Sequence, residues 1–157
     1  MLSIRPEEDR KLREILTALC TESKAKVVFL IDKAGQLISR SNAPAYTSND
    51  ITFASLTAGN VAASEALSKL LGDKTLNHAF TETEDEGIYM SLIKQKLILV
   101  VIFEKYTSNL GIIRVKLKKY KPQIEEIIEN IEMKSSKEKE LGKEIDIEDI
   151  NIDNLFE

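Results

Sequence analysis

Few side chains in this 157-residue chain are of the kinds that carry chemistry, and their spacing argues against most of it. His78 is the only histidine and Cys20 the only cysteine. A zinc site or a nucleophile–histidine pair needs further ligands or partners, and the residues around these two supply none. His78 therefore reads as a strand-surface or interface residue. Cys20 closes an amphipathic helix and reads as a small packing residue. The acidic stretch "TETEDE" (Thr81 to Glu86) lacks the spaced oxygen ligands and central glycine of an EF-hand loop, so it reads as a solvated strand end and turn. Neither a GxxxxGKS/T loop nor a GxGxxG loop is present to cradle phosphates. The expectation is a protein without an active site of its own: no catalytic residue, no metal, no cofactor.

Composition narrows the class further. An apolar share of 43% and a charged share of 31% are ordinary for one soluble domain with a real core. A net charge of -4 argues against broad nucleic-acid binding. No apolar run approaches the roughly 18 residues of a membrane span, and the acidic start of the chain has no signal-peptide core. A single cysteine makes a reducing cytoplasm the default location. Charge is unevenly placed, with six basic and no acidic residues from Lys105 to Lys121, and six acidic and no basic ones from Glu144 to Glu157.

The elements that must position any site follow from periodicity. Pro6 and the acids Glu7, Glu8 and Asp9 suit a helix start, and Leu12, Ile15, Leu16 and Leu19 form its stripe. "KVVFLID" (Lys26 to Asp32), a turn through Lys33, Ala34 and Gly35, and "QLISRS" (Gln36 to Ser41) read as a hairpin. A second helix is expected from a Ser48-Asn49-Asp50 cap cluster to Gly72. Three strands follow, over Leu76 to Glu84, Gly87 to Ile93 and Leu97 to Phe103, the last apolar throughout. The final helix starts near Ser108 with Ile113, Leu117, Tyr120, Ile124, Ile127 or Ile128, and Ile131 on one face. Pro122 is expected to kink or split it. The folded domain is read as residues 1–133 and residues 134–157 as a flexible acidic tail.

The second helix is unusual in keeping much of its surface small. Phe53, Leu56, Ala63, Leu67 and Leu70 make one apolar stripe, expected to lie on the sheet. Thr52, Ser55, Gly59, Ala62 and Ala66 make a neighbouring stripe without a large side chain, with Ala58 beside it. An ordinary solvated face would carry Lys and Glu. A small face lets another backbone approach, so this one reads as a helix–helix dimer contact and partner platform, the alternative being that the chain's own loops cover it. The basic run is either the solvated face of the last helix or a docking surface, with Arg114 and Lys118 as its candidates. In the tail, Ile147, Ile150, Leu155 and Phe156 alternate with acids, which reads either as an unstructured terminus or as a docking motif. A docking motif of this kind would meet a partner's second site or the chain's own Arg114, Lys118 and Lys121.

These residues resemble a known family. "VVFLIDKAGQLISRS" is similar to the opening hairpin of the Roadblock (dynein light chain) domain, "ASLTAGNVAASEALSKLLG" to its central helix, and "LILVVIFEKYTSNLGIIRVKLKK" to its last strand and helix entry. Within it, "LTAGNVAAS" followed by "LLG", and "TSNLGIIRVKLKK", resemble the bacterial MglB proteins, over about residues 7 to 133. The resemblance implies an α+β, three-layer α/β/α fold: a five-stranded antiparallel sheet with one long helix on one face and two on the other. It also implies a homodimer with its central helices side by side and an edge strand of each sheet paired. The partner it implies is an MglA-type small Ras-like GTPase, held on the central-helix face. There the dimer would speed hydrolysis by repositioning the GTPase's own catalytic residues, in cell polarity or gliding motility. On that reading Ser55, Ala58, Gly59, Ala62, Ala66, Arg114 and Lys118 touch the partner. The alternative is a Roadblock scaffold or adaptor that binds a GTPase or motor complex without changing hydrolysis.

Overall fold

Strands that are apolar on both sides need cover on both faces, and the chain supplies it with three helices. A computed structural model describes the backbone of residues 4–155 and the side chains of residues 4–142. Its elements are α1 (Pro6–Glu22), β1 (Val27–Asp32), β2 (Leu37–Arg40), α2 (Ser48–Leu70), β3 (His78–Glu82), β4 (Glu86–Ile93), β5 (Leu97–Glu104) and α3 (Leu110–Leu155). The strands form one antiparallel sheet in the order β2-β1-β5-β4-β3. The expected α+β architecture is therefore present, with α1 and α3 on one face and α2 on the other.

The two faces are built differently. On the first, Leu12, Leu16 and Leu19 of α1 and Ile113, Leu117, Ile124, Ile128 and Ile131 of α3 meet Val28, Leu30, Leu99 and Val101. Nearly all are fully buried, and each such side chain stabilises the fold by about 1.5–3 kcal/mol relative to exposure. Polar ties join the same two helices. Glu8, 6% exposed, accepts from Lys134 Nζ at 2.9 Å and from the Arg5 amide at 3.2 Å. The Lys134 hydrogen bond is the main reason the Glu8 carboxyl titrates below its usual range, burial opposing it. Ser108 Oγ donates to the Ser23 carbonyl at 2.5 Å. Cys20 is buried here, its Sγ 3.3 Å from the Ala25 carbonyl, and burial raises its thiol pKa.

On the second face the bulk comes from the sheet. Phe29, Ile31, Met90, Leu92, Ile98 and Val100 pack under Ala54, Ala58 and Val61 of α2, with Phe53 partly buried beside them. Leu56, Leu67 and Leu70 point outward, at 70%, 63% and 84% exposure. This reverses the expected stripe: of Phe53, Leu56, Ala63, Leu67 and Leu70, only Phe53 packs on the sheet. A sheet already crowded with large side chains leaves room only for small ones on the helix.

Boundaries differ elsewhere for local reasons. Thr47, not the Ser48-Asn49-Asp50 cluster, caps α2, because its hydroxyl accepts from the Asp50 amide at 3.1 Å while Asp50 accepts from the Thr47 amide at 2.9 Å. Pro122 does not split α3, which is one helix. The residue sits on its exposed side, where water can satisfy the carbonyl left without a donor. Beyond residue 134, where the sequence anticipates a flexible tail, the backbone stays helical to Leu155.

Candidate functional site

Sequence places the partner platform on α2, and several contacts fix that helix in space. The β1–β2 turn carries Gly35 at φ +89°, a conformation L side chains rarely adopt. A Cβ there would lie 2.9 Å from Ser55 Cα, so the glycine also lets the turn touch the α2 backbone. At the end of β2, Arg40 Nη1 donates to Asp50 Oδ2 at 2.7 Å, its Nε donates to the Ser41 carbonyl at 3.1 Å, and its guanidinium lies 5.5 Å from the Phe29 ring centroid. Burial pushes the Asp50 carboxyl up, but the Thr47 amide and Arg40 outweigh it and leave the group below its usual value. Lys33 Nζ reaches Glu65 Oε2 at 3.0 Å further along the helix. Arg40 and Asp50 were absent from the sequence-derived site. Their only sequence signal is the Thr47–Asp50 capping spacing.

Held this way, α2 presents an outer face that mixes small and large apolar residues. Ser55, Gly59, Ala62 and Ala66 are exposed as expected, and Leu56, Ala63, Leu67 and Leu70 lie next to them. Ala58 does not belong to this face; at 7% exposure it packs against the sheet. Uncovered leucines along four turns of one helix make a contiguous apolar surface of the kind that binds another protein.

Arg114 and Lys118 are exposed too, but on α3, in the layer on the opposite side of the sheet. One chain therefore does not bring them together with the α2 residues. Phe156 lies outside the described residues, as do the side chains of Ile147, Ile150 and Leu155.

Among the described residues, groups suited to catalysis do not converge. Among the described residues no three His, Cys, Asp or Glu side chains could share a metal ion. A cleft of about 670 Å³ between the β1–β2 turn and α3 is lined by Asp32, Gln36, Lys96 and Glu132, and Lys96 pairs with Glu132 at 3.3 Å. No described helix is long and apolar enough to cross a membrane.

Known proteins share this arrangement. The Roadblock/LC7 domain model matches residues 11–103. Among solved structures, MglB of Myxococcus xanthus is 38% identical with a TM-score of 0.69, covering 76% of this chain and 96% of its own. The gliding protein MglB of Thermus thermophilus is 29% identical with a TM-score of 0.72, covering 82% and 96%. An MglB described as having a tetrameric arrangement is 26% identical with a TM-score of 0.74, covering 83% and 96%. No curated protein sequence matches. Together with the three-helix, five-strand architecture, these likenesses show that the chain belongs to the Roadblock/LC7 family and is MglB-like.

Proposed function

We propose that this chain is a non-enzymatic regulator of a small Ras-like GTPase of the MglA type, working as a homodimer that accelerates GTP hydrolysis. The observation that carries the reading is the outward apolar face of α2. It surrounds Leu56, Leu67 and Leu70 with the small residues Ser55, Gly59, Ala62 and Ala66. Two such helices side by side form a broad shallow platform, and the small residues allow the backbones to approach. β3 is a sheet edge, so pairing it with the β3 of a second copy removes an open row of backbone groups. The MglB likenesses support the partner class.

The regulator acts without donating an arginine. Arg40, at the end of β2 beside the start of α2, is engaged by Asp50 and Phe29, and Arg114 belongs to the other layer. Stimulation then comes from holding the GTPase's own catalytic groups in place. Single-turnover GTP hydrolysis by the neighbouring Ras-like GTPase, with and without this chain, tests the proposal. A rate increase that Leu67→Arg abolishes supports it. Binding without any change in rate would replace it with the scaffold reading.

A further inference from the structure

The basic run on α3 is divided by the structure. Lys116 and Lys119 face α1, where both reach Glu22, Lys119 at 2.7 Å. Further along, Lys94 pairs with Glu129 and Lys96 with Glu132, while Lys105 pairs with Glu82 at 2.7 Å. Arg114, Lys118 and Lys121 follow i, i+4, i+7 spacing along the other flank of the helix, and among the described residues they make no ion pair. Turned away from α1, that flank lies toward β4, which α3 contacts; there burial raises the Tyr89 hydroxyl pKa and the Arg114 charge partly opposes the rise.

The sheet beside this flank is open. α3 covers β5 and part of β4 but leaves β3 bare on this side, where His78 and Phe80 are exposed. His78 stacks on Tyr89 with ring centroids 5.6 Å apart, and Phe80 on Phe103 at 6.1 Å. Phe103 reaches that position by lying across Gly87, where a Cβ would come within 2.5 Å of its ring. The result is an open ledge, called the α3 channel below, with the exposed aromatics His78 and Phe80 beside one cationic wall. Pairing β3 edges between copies leaves its face free.

We propose that this channel, walled by Arg114, Lys118 and Lys121 and floored by His78, Phe80 and Tyr89, receives the acidic C-terminal segment Glu144–Glu157 of a second copy of the chain. The complementarity is of charge and of shape class. The segment carries six acids and no base, interleaved with Ile145, Ile147, Ile150, Ile152, Leu155 and Phe156. Acids meet the cationic wall while apolar residues cover Phe80 and the stacked rings. The occupant comes from another copy because α3 is one helix to Leu155. At 1.5 Å per residue it carries Glu144 about 39 Å from Lys118 along its own axis. Each copy thus has both halves of the contact and can satisfy neither alone. The inference is independent of the GTPase reading.

Fluorescence anisotropy of a labelled synthetic peptide, residues 144–157, titrated with the full chain and no GTPase present, tests it. Expected is saturable binding, weakened by about tenfold or more in Arg114→Glu/Lys118→Glu and by raising salt from about 50 mM to about 500 mM. Sedimentation velocity supplies a second reading. The full chain should form concentration-dependent larger species that vanish both in the double variant and in a chain ending at Gly142. Thermal melts confirm that the double variant is folded. No peptide binding, binding indifferent to the charge reversal, or assembly unchanged by removing residues 143–157 each overturns the proposal. An acidic peptide of scrambled order that binds equally well overturns it too, by giving the channel to acidic partners in general.

Discussion

The two faces of the sheet are covered in opposite ways. Under α1 and α3 the helices bring the bulk, as leucines and isoleucines that are nearly all fully buried. Under α2 the sheet brings the bulk and the helix contributes Ala54, Ala58 and Val61, turning its own leucines to solvent. The first face is what folding requires. The second leaves large apolar side chains in solvent where they do nothing for the isolated chain, which is the observation behind the proposed platform.

The sharpest way to break this comparison is to place one substitution on the two sides of α2. Ala58→Arg forces a charge against Ile31 and Val100 and should cost about 3 kcal/mol or more, lowering the denaturation midpoint or preventing folding. Ala62→Arg, on the exposed side, should leave chain stability within about 0.5 kcal/mol while abolishing association. A folded, stable Ala58→Arg would mean the two sides are not distinct. On the opposite layer, Leu16→Ala should cost about 2–5 kcal/mol in urea denaturation, against almost nothing for Leu67→Ala on the outer side of α2.

Arg40→Ala should have an intermediate effect, about 2 kcal/mol, since it leaves Asp50 half-paired in a mostly buried setting. The pH dependence has a definite sign. Asp50 and Glu8 both titrate below their unfolded values of 3.8 and 4.5. Their stabilisation is fully present above those values and is lost as pH falls through the lower folded ones. Acid titration of stability should therefore be shallower in Arg40→Ala than in the parent chain. An unchanged slope would show that the Thr47 cap alone holds Asp50.

The smallest expected effect is a gain. Nothing lies within 4 Å of a Cβ built on Gly59. Gly59→Ala should stabilise the isolated chain by about 0.5–1 kcal/mol through helix propensity. If two α2 helices approach closely there, the same methyl should weaken the dimer, so stability and association would move in opposite directions.

Fold and site were unequally legible in the sequence. Stripes such as Leu12, Leu16 and Leu19, or Ile113, Leu117 and Ile124, announce both the helix and its buried side, because size and burial agree. On α2 they disagree. The stripe with the largest residues faces water, since what decides is the volume already occupied by Phe29, Met90 and Ile98 on strands far away in sequence. The exposed small residues Ser55, Gly59, Ala62 and Ala66 were nonetheless readable, because a helix face without Lys or Glu is anomalous wherever the sheet lies. Arg40 was legible as part of the second hairpin strand but not as a strut. Its ion pair with Asp50 depends on how β2 meets the start of α2. Arg114 and Lys118 show the remaining gap, since helical spacing groups them but does not say which side of the sheet they occupy.

Cys20 has a practical consequence. The chain's one thiol is buried in the α1 core, held near the Ala25 carbonyl, and shifted away from its reactive thiolate form. Towards maleimides and nitroxide reagents the native protein should therefore react only slowly. A cysteine placed at Ala62 or Phe80 becomes the sole reporter without any background having to be engineered out. Dipolar coupling between two nitroxides at residue 62 would read the separation of paired α2 helices directly, and a dye at residue 80 would report occupancy of the α3 channel by quenching.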